Sequence, residues 1–318
     1  MGHELGHAAL ALLSTTAYYI AFLVFRLAAA RMPPLRGSRP FQAVGQMLTS
    51  PLWLGGGLIL FLGLGYQVVA FSAMPLAVAQ PVFAVSLVFL VAYAVGFLGE
   101  RLNAREWASV ALFVGATVLI GLSAGSEHRL HADARLTDTL VAPWRMLAVI
   151  VPALVIAGLV WLVGDRRAGG RHARKLAGVA YGIGAGACAG LGEAGIRGIS
   201  IVYHDTGSIG AVLVSPYPYL TLGLAGLALI QLQIALQRCR VAIVATVLTV
   251  IGRTYLVLSS TVLFGEHWPS DPVPFLLRVG GFVLALAALA AFPRYEPPAA
   301  DREGARRAAA GGRVRSIG

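Results

Sequence analysis

The sequence predicts an all-α polytopic membrane protein of about nine transmembrane helices, arranged as two inverted-topology repeats of four and five spans. Composition is the first reason. Of 318 residues, 58% are hydrophobic and only 12% are charged, against roughly 25% charged in soluble domains. Apolar stretches long enough for a helix to cross about 30 Å of hydrocarbon recur along nearly the whole chain. Arginines also gather in alternate loops between those stretches, the pattern that fixes orientation in a bilayer.

The spans follow in order at 6–29, 51–71, 75–98, 104–124, 145–164, 175–203, 211–237, 240–264 and 273–292. The first is read as retained, because it is long, follows no basic region and ends in arginines instead of a small-residue cleavage site. Pro81 lies six residues into the third span. A proline there lacks its donor and leaves the carbonyl of Ala77 unpaired near Gln80. The seventh opens with SPYPYL, where Pro216 and Pro218 either mark the helix start or free carbonyls at an external mouth beside Tyr217 and Tyr219. Residues 1–125 then form the first repeat, 126–144 an external loop and 145–292 the second repeat. The tail 293–318, rich in Ala, Gly and Arg, has nothing to bury and is expected to be disordered, within reach of anionic lipid headgroups. Cys188 and Cys239 fall in different segments and imply no disulfide framework.

The loops after spans one, three, five and seven, with the tail, hold 19 of the 25 basic residues. The positive-inside rule therefore puts the N-terminus outside and the C-terminus in the cytoplasm. The net charge of +11 is spread over short loops rather than over one folded face, so no nucleic-acid partner is implied. The partners expected are the lipid bilayer and a small-molecule or ion substrate; a homodimer is compatible with the sequence, and no cofactor is called for.

Sliding the chain on itself by 166 residues lays 65–100 on 231–266 and pairs Gln67 with Gln233, Val78 with Val244, Ala79 with Ala245, Leu90 with Leu256, Val91 with Val257, Gly99 with Gly265 and Glu100 with Glu266. Each block is two spans ending in Gly-Glu, followed by one more span with Val-Gly and Val-Leu at similar offsets. The charge rule places Glu100 inside and Glu266 outside, so the copies are inverted, as in secondary transporters whose halves exchange conformations around a midplane site. The run from LWLGGGLILFLGLGYQVVAFSAMPLAVAQPVF to LGERLNAREWASVALFVGATVLI, with Ala79 to Pro81, Gly99-Glu100-Arg101-Leu102 and Gly115, resembles the repeat of the drug/metabolite transporter superfamily, in its EamA/NIPA-like branch. That resemblance implies transport by alternating access, with the NIPA-like magnesium transporters as one alternative. NIPA-like proteins tend to carry an acid after the glycine of span two, where this chain has Gly65-Tyr66-Gln67.

Three charges lie inside spans: Glu193 and Arg197 in the sixth, and Arg253 in the eighth. Each costs on the order of 3 kcal/mol near the bilayer centre, so each requires a partner or a watery cavity. Glu193 can meet Arg253 across helices, or Arg197 four residues on along one helical face; Arg197 can also snorkel outward. These charges either lock one another without a substrate role or line the central cavity. In the second case Arg253, Glu193, Gln80, Gln67 and Arg197 are the candidate substrate contacts, and the surplus positive charge favours an anionic or zwitterionic solute. A bare Mg²⁺ would meet one acid against two arginines. Gly99, Glu100, Gly265, Glu266 and Pro81 are read as structural residues of the repeat. Gly178, Gly182, Gly186 and Gly190, at a strict spacing of four, form a small-residue stripe for close helix packing.

The opening HELGH matches H-E-x-x-H, in which two histidines one turn apart bind zinc. A zinc protease needs a third ligand on a second rigid element, and none is placed at the depth of His7, so no metal site is assigned to His3, Glu4 and His7. An intramembrane zinc protease and a non-transporting scaffold remain the rival classes. Tags inserted after Leu98 and after Phe264 are expected on opposite faces of the membrane, read by labelling with an impermeant reagent; labelling from one face would remove the inverted repeat.

Overall fold

The computed structural model describes residues 2–36, 39–73, 92, 93, 95, 96, 104–124, 143–166, 171–264 and 268–291. Ten helices are defined there: α1 (Gly2–Arg31), α2 (Pro40–Leu48), α3 (Pro51–Ala73), α4 (Ala104–Ala124), α5 (Pro143–Arg166), α6 (Arg171–Thr206), α7 (Ile209–Val214), α8 (Tyr217–Arg238), α9 (Val241–Phe264) and α10 (Pro272–Ala291). Four of them are long and apolar enough to cross a membrane, in the segments Leu13–Arg31, Trp144–Leu162, Tyr217–Arg238 and Val241–Phe264, or five if α2 and α3 are taken as one bent span. The expectation of nine spans is thus met only in its all-helical, membrane-embedded character among the described residues. The glycines of α6 dilute its hydropathy, and most of 75–98 lies outside the described residues, as do loop 126–142, the corners 97–103 and 265–267 and the tail from 292.

Two local features differ from the sequence expectation. Pro216 caps α8 with Pro218 in its first turn, so the seventh span starts at Tyr217. The residues before it fold into the separate short α7, because each proline removes a donor that a continuous helix would need. Gly207, with φ of 60°, turns the chain between α6 and α7 in the left-handed region that glycine alone enters cheaply. The second addition is α2, which meets α3 at 88°. α3 has 23 residues and reaches about 34 Å, and the two helices together meet the length and hydropathy of one bent span.

At the centre of the packing is α6, which presents glycine on two faces. Toward α9, a methyl group added at Gly186 would lie 2.8 Å from the Leu248 carbonyl oxygen, Gly182 lies against Val247, and Gly190 abuts the backbone of Gly252. Toward α8, Gly195 and Gly198 abut Thr221 and the Tyr217 ring, and Gly184 abuts Gln231. Residue numbers rise together along the first contact and in opposition along the second, so α6 runs parallel to α9 and antiparallel to α8. The same reasoning makes α10 antiparallel to α4, where Gly115 faces Leu284 and Arg278 donates to Ser123. α1 is antiparallel to α3, where Gly56 faces Phe25 and Gly63 faces Ala17.

Glutamines of α8 fasten the neighbours through backbone carbonyls. Gln231 donates to the Ala157 carbonyl of α5 at 3.4 Å, and Gln233 to the Phe25 carbonyl of α1 at 3.1 Å. Gln237 donates to the Ala29 and Pro33 carbonyls at 3.2 and 3.0 Å and accepts from the Leu35 amide at 2.7 Å. Without water, such bonds replace hydration and set the register between helices.

The close α6–α9 approach has a measurable consequence. Gly190→Ala is expected to destabilise by about 1–3 kcal/mol in denaturant unfolding in detergent, because the methyl group overpacks against Gly252. Gly226→Ala, where a Cβ meets nothing within 4 Å, is expected to be neutral or to gain up to about 1 kcal/mol from helix propensity.

Candidate functional site

The apolar spans leave few polar groups at depth, and four helices bring most of them together. Arg253 is near the middle of α9, and its Nη1 donates to Glu193 Oε2 of α6 at 2.5 Å. The glycine contacts between α6 and α9 make this pairing possible, since Gly252, immediately before Arg253, and Gly190, three residues before Glu193, let the backbones touch. Sequence allowed Glu193 two partners. The structure pairs it with Arg253, and Arg197 lies half-buried one turn further along α6.

The ion pair is not sealed. The Arg253 side chain is 12% exposed and that of Glu193 20% exposed, so part of the pair is accessible. Neutralisation offsets the cost of holding either charge in hydrocarbon, and removing one partner alone leaves an uncompensated charge worth about 3–5 kcal/mol.

Next to the pair, α1 supplies Tyr18 and Tyr19, both close enough to feel the charges of Glu193 and Arg253. The Tyr18 hydroxyl donates to Gln67 Oε1 of α3, and Ser14 Oγ donates to the Gly63 carbonyl at 2.8 Å. Gln67 is 1% exposed, and its Nε2 has no hydrogen-bond partner among the described residues. A buried amide in that state retains a donor for an additional group. Gln233, which the sequence expectation pairs with Gln67, instead donates to the Phe25 carbonyl of α1.

Of the candidate contacts read from sequence, Arg253, Glu193 and Gln67 border one polar region, while Gln80 and Pro81 lie outside the described residues, as do Gly99, Glu100, Gly265 and Glu266. Gly178, Gly182, Gly186 and Gly190 all face the chain from Arg238 to Gly252. Sequence reading missed Tyr18 and Tyr19, because an aromatic in an apolar span carries no signal until its neighbours are known. It also missed Glu106, fully buried in the first turn of α4 and paired with Arg240 just before α9. The signal was present there: an acid three residues into an apolar span demands a partner.

No group of three or more His, Cys, Asp or Glu side chains capable of holding a metal occurs among the described residues. Among the described residues, the oxygen donors in this region include the Glu193 carboxylate, Gln67 Oε1 and the Tyr18 hydroxyl. HELGH forms the beginning of α1.

A sequence model of the family described as Magnesium transporter NIPA matches residues 4–294. No curated protein and no solved structure gives a significant match. The matched family consists of transporters, so HELGH begins a membrane helix and does not make the protein an enzyme. With nearly the whole chain covered and apolar helices packed around a buried ion pair, this integral membrane protein belongs to the NIPA transporter family.

Proposed function

We propose that the protein moves a small solute across the cytoplasmic membrane by alternating access of two inverted halves, residues 1–125 and 145–292, with the N-terminus outside and the C-terminus in the cytoplasm. The observation that carries this reading is the Glu193–Arg253 pair, held at 2.5 Å and partly accessible. The cargo engages Arg253 and Glu193, with Gln67, Gln80 and Arg197 completing the contact. Two guanidinium groups against one carboxylate favour a solute with an anionic or zwitterionic group, since a planar guanidinium binds a carboxylate or phosphate through paired donors. Coupling to protons would run through Glu193, the deep acid of this site. Glu106 and Arg240, paired between the starts of α4 and α9, tie the inner ends of the two halves and would part when the site opens inward.

The family description favours a second reading, magnesium as cargo. Mg²⁺ demands oxygen ligands in near-octahedral order and sheds water reluctantly. Glu193 would have to leave Arg253 to receive it, with Gln67 Oε1 and retained waters completing the shell.

The two readings part on one residue. In proteoliposomes, Arg253→Gln is expected to weaken apparent affinity for an anionic or zwitterionic cargo by about 10- to 100-fold, the loss of one charge-assisted contact. The same variant should preserve or improve Mg²⁺ uptake if magnesium is the cargo, because it frees the carboxylate. Thermal-shift screening of amino acids, phosphorylated metabolites, carboxylates and MgCl₂ identifies the solute to assay, since a ligand of the folded state raises Tm. The double variant Glu193→Gln/Arg253→Gln removes both charges and is expected to fold near wild-type stability while losing uptake under either reading. Uptake and affinity unchanged in that protein would remove the pair from the transport site.

A further inference from the structure

We propose that the corner between α1 and α2 is a binding site for the headgroup phosphate of an anionic phospholipid. The corner is a shaped cavity of about 280 Å³, near the lower end of the range of about 300–1,000 Å³ for small-molecule sites. Pro33, Pro34, Arg36, Arg39, Gln42 and Gln46 line it. Every charged side chain on this lining is a guanidinium, and Arg36 and Arg39 have no ion-pair partner among the described residues. The first turn of α2 holds no acid that would oppose an anion.

The walls are held in place from outside the cavity. Gln237 of α8 binds the Pro33 carbonyl at 3.0 Å and the Leu35 amide at 2.7 Å, which pins the strand of chain leading to Arg36. On the other wall, Ala43 and Met47 are buried and anchor α2 against the body. The arginines therefore project from a fixed frame, and two guanidinium forks with two amide groups form the donor set that a phosphodiester accepts.

Lipid, rather than a soluble phosphate, is favoured by what surrounds the cavity. α2 crosses α3 at 88°, and α3 is a membrane helix, so α2 lies roughly along the membrane plane. Phe41 on α2 is 91% exposed and Leu48 54% exposed; apolar side chains in this setting enter the acyl region, as interfacial helices do. Acyl chains beside Phe41 and a phosphate between Arg36 and Arg39 match one amphiphile. Anionic lipid attracts basic juxtamembrane segments, and here the charges are concentrated in one cavity.

The test uses the purified full chain in detergent, with Tm measured on adding dioleoylphosphatidylglycerol, dioleoylphosphatidylcholine or sodium glycerol phosphate at matched concentration. Wild type is expected to gain several degrees with phosphatidylglycerol, and little with phosphatidylcholine or glycerol phosphate. Arg36→Gln/Arg39→Gln is expected to lose that gain, whereas Arg306→Gln/Arg307→Gln, the same charge change in the tail, should retain it. Gln46→Glu, which places an acid in the cavity while sparing both arginines, is expected to reduce the gain as well. A full wild-type gain in both cavity variants would overturn the site. An equal gain with phosphatidylcholine would overturn the requirement for charge, and an equal gain with glycerol phosphate would overturn lipid as the occupant.

Discussion

Close backbone approach along α6 is the constraint on which the arrangement depends. In a bilayer, apolar side chains gain little by leaving lipid for protein, so helices associate through van der Waals contact and interhelical hydrogen bonds. α6 meets this requirement on two sides, with one set of glycines against α9 and another against α8. Larger residues at Gly186 or Gly190 would push α9 outward, and the reach between Glu193 and Arg253 would lengthen with it. Packing and electrostatics are thus one problem here: the helix that has the least side chain to offer brings the deepest charges together.

Several polar groups away from the ion pair are taken up by backbone carbonyls. Gln231, Gln233 and Gln237 each bond a carbonyl of α5 or of the α1 segment, and Tyr255 donates to the Val149 carbonyl of α5 at 2.7 Å. Gln67 instead has its amide oxygen engaged by the Tyr18 hydroxyl, with its Nε2 unpartnered among the described residues. Gln233, which the sequence alignment of the chain on itself pairs with Gln67, is used differently. One glutamine fastens α1, and the other joins α1 to a polar region next to the ion pair.

Under the proposed function, that region contacts the cargo. A carboxylate neutralised by a guanidinium has little free charge with which to strip water from a hard cation, and this pair keeps 12% and 20% side-chain exposure. Under the proposed function, membership of a family named for magnesium and a carboxylate already paired with a guanidinium point to different cargoes. The difference rests on whether Glu193 stays with Arg253 while cargo is bound.

Sequence alone determined the class of molecule and several of its parts. Segment limits at 145–164 and 240–264 fall within a few residues of α5 and α9, because hydropathy over twenty residues is a local property that the bilayer reads directly. It also named Glu193, Arg253 and Gln67, since a charge or amide in hydrocarbon needs a partner wherever the chain folds. Other features were decided only by tertiary structure: the choice of Arg253 over Arg197, the arrival of Tyr18 and Tyr19 beside the pair, the link from Glu106 to Arg240, and the turn of α2 that shapes a basic cavity. Each depends on contacts between segments far apart in the chain. Those contacts follow from how glycine faces and carbonyl-seeking glutamines set the register between helices, and no local window of sequence contains that information.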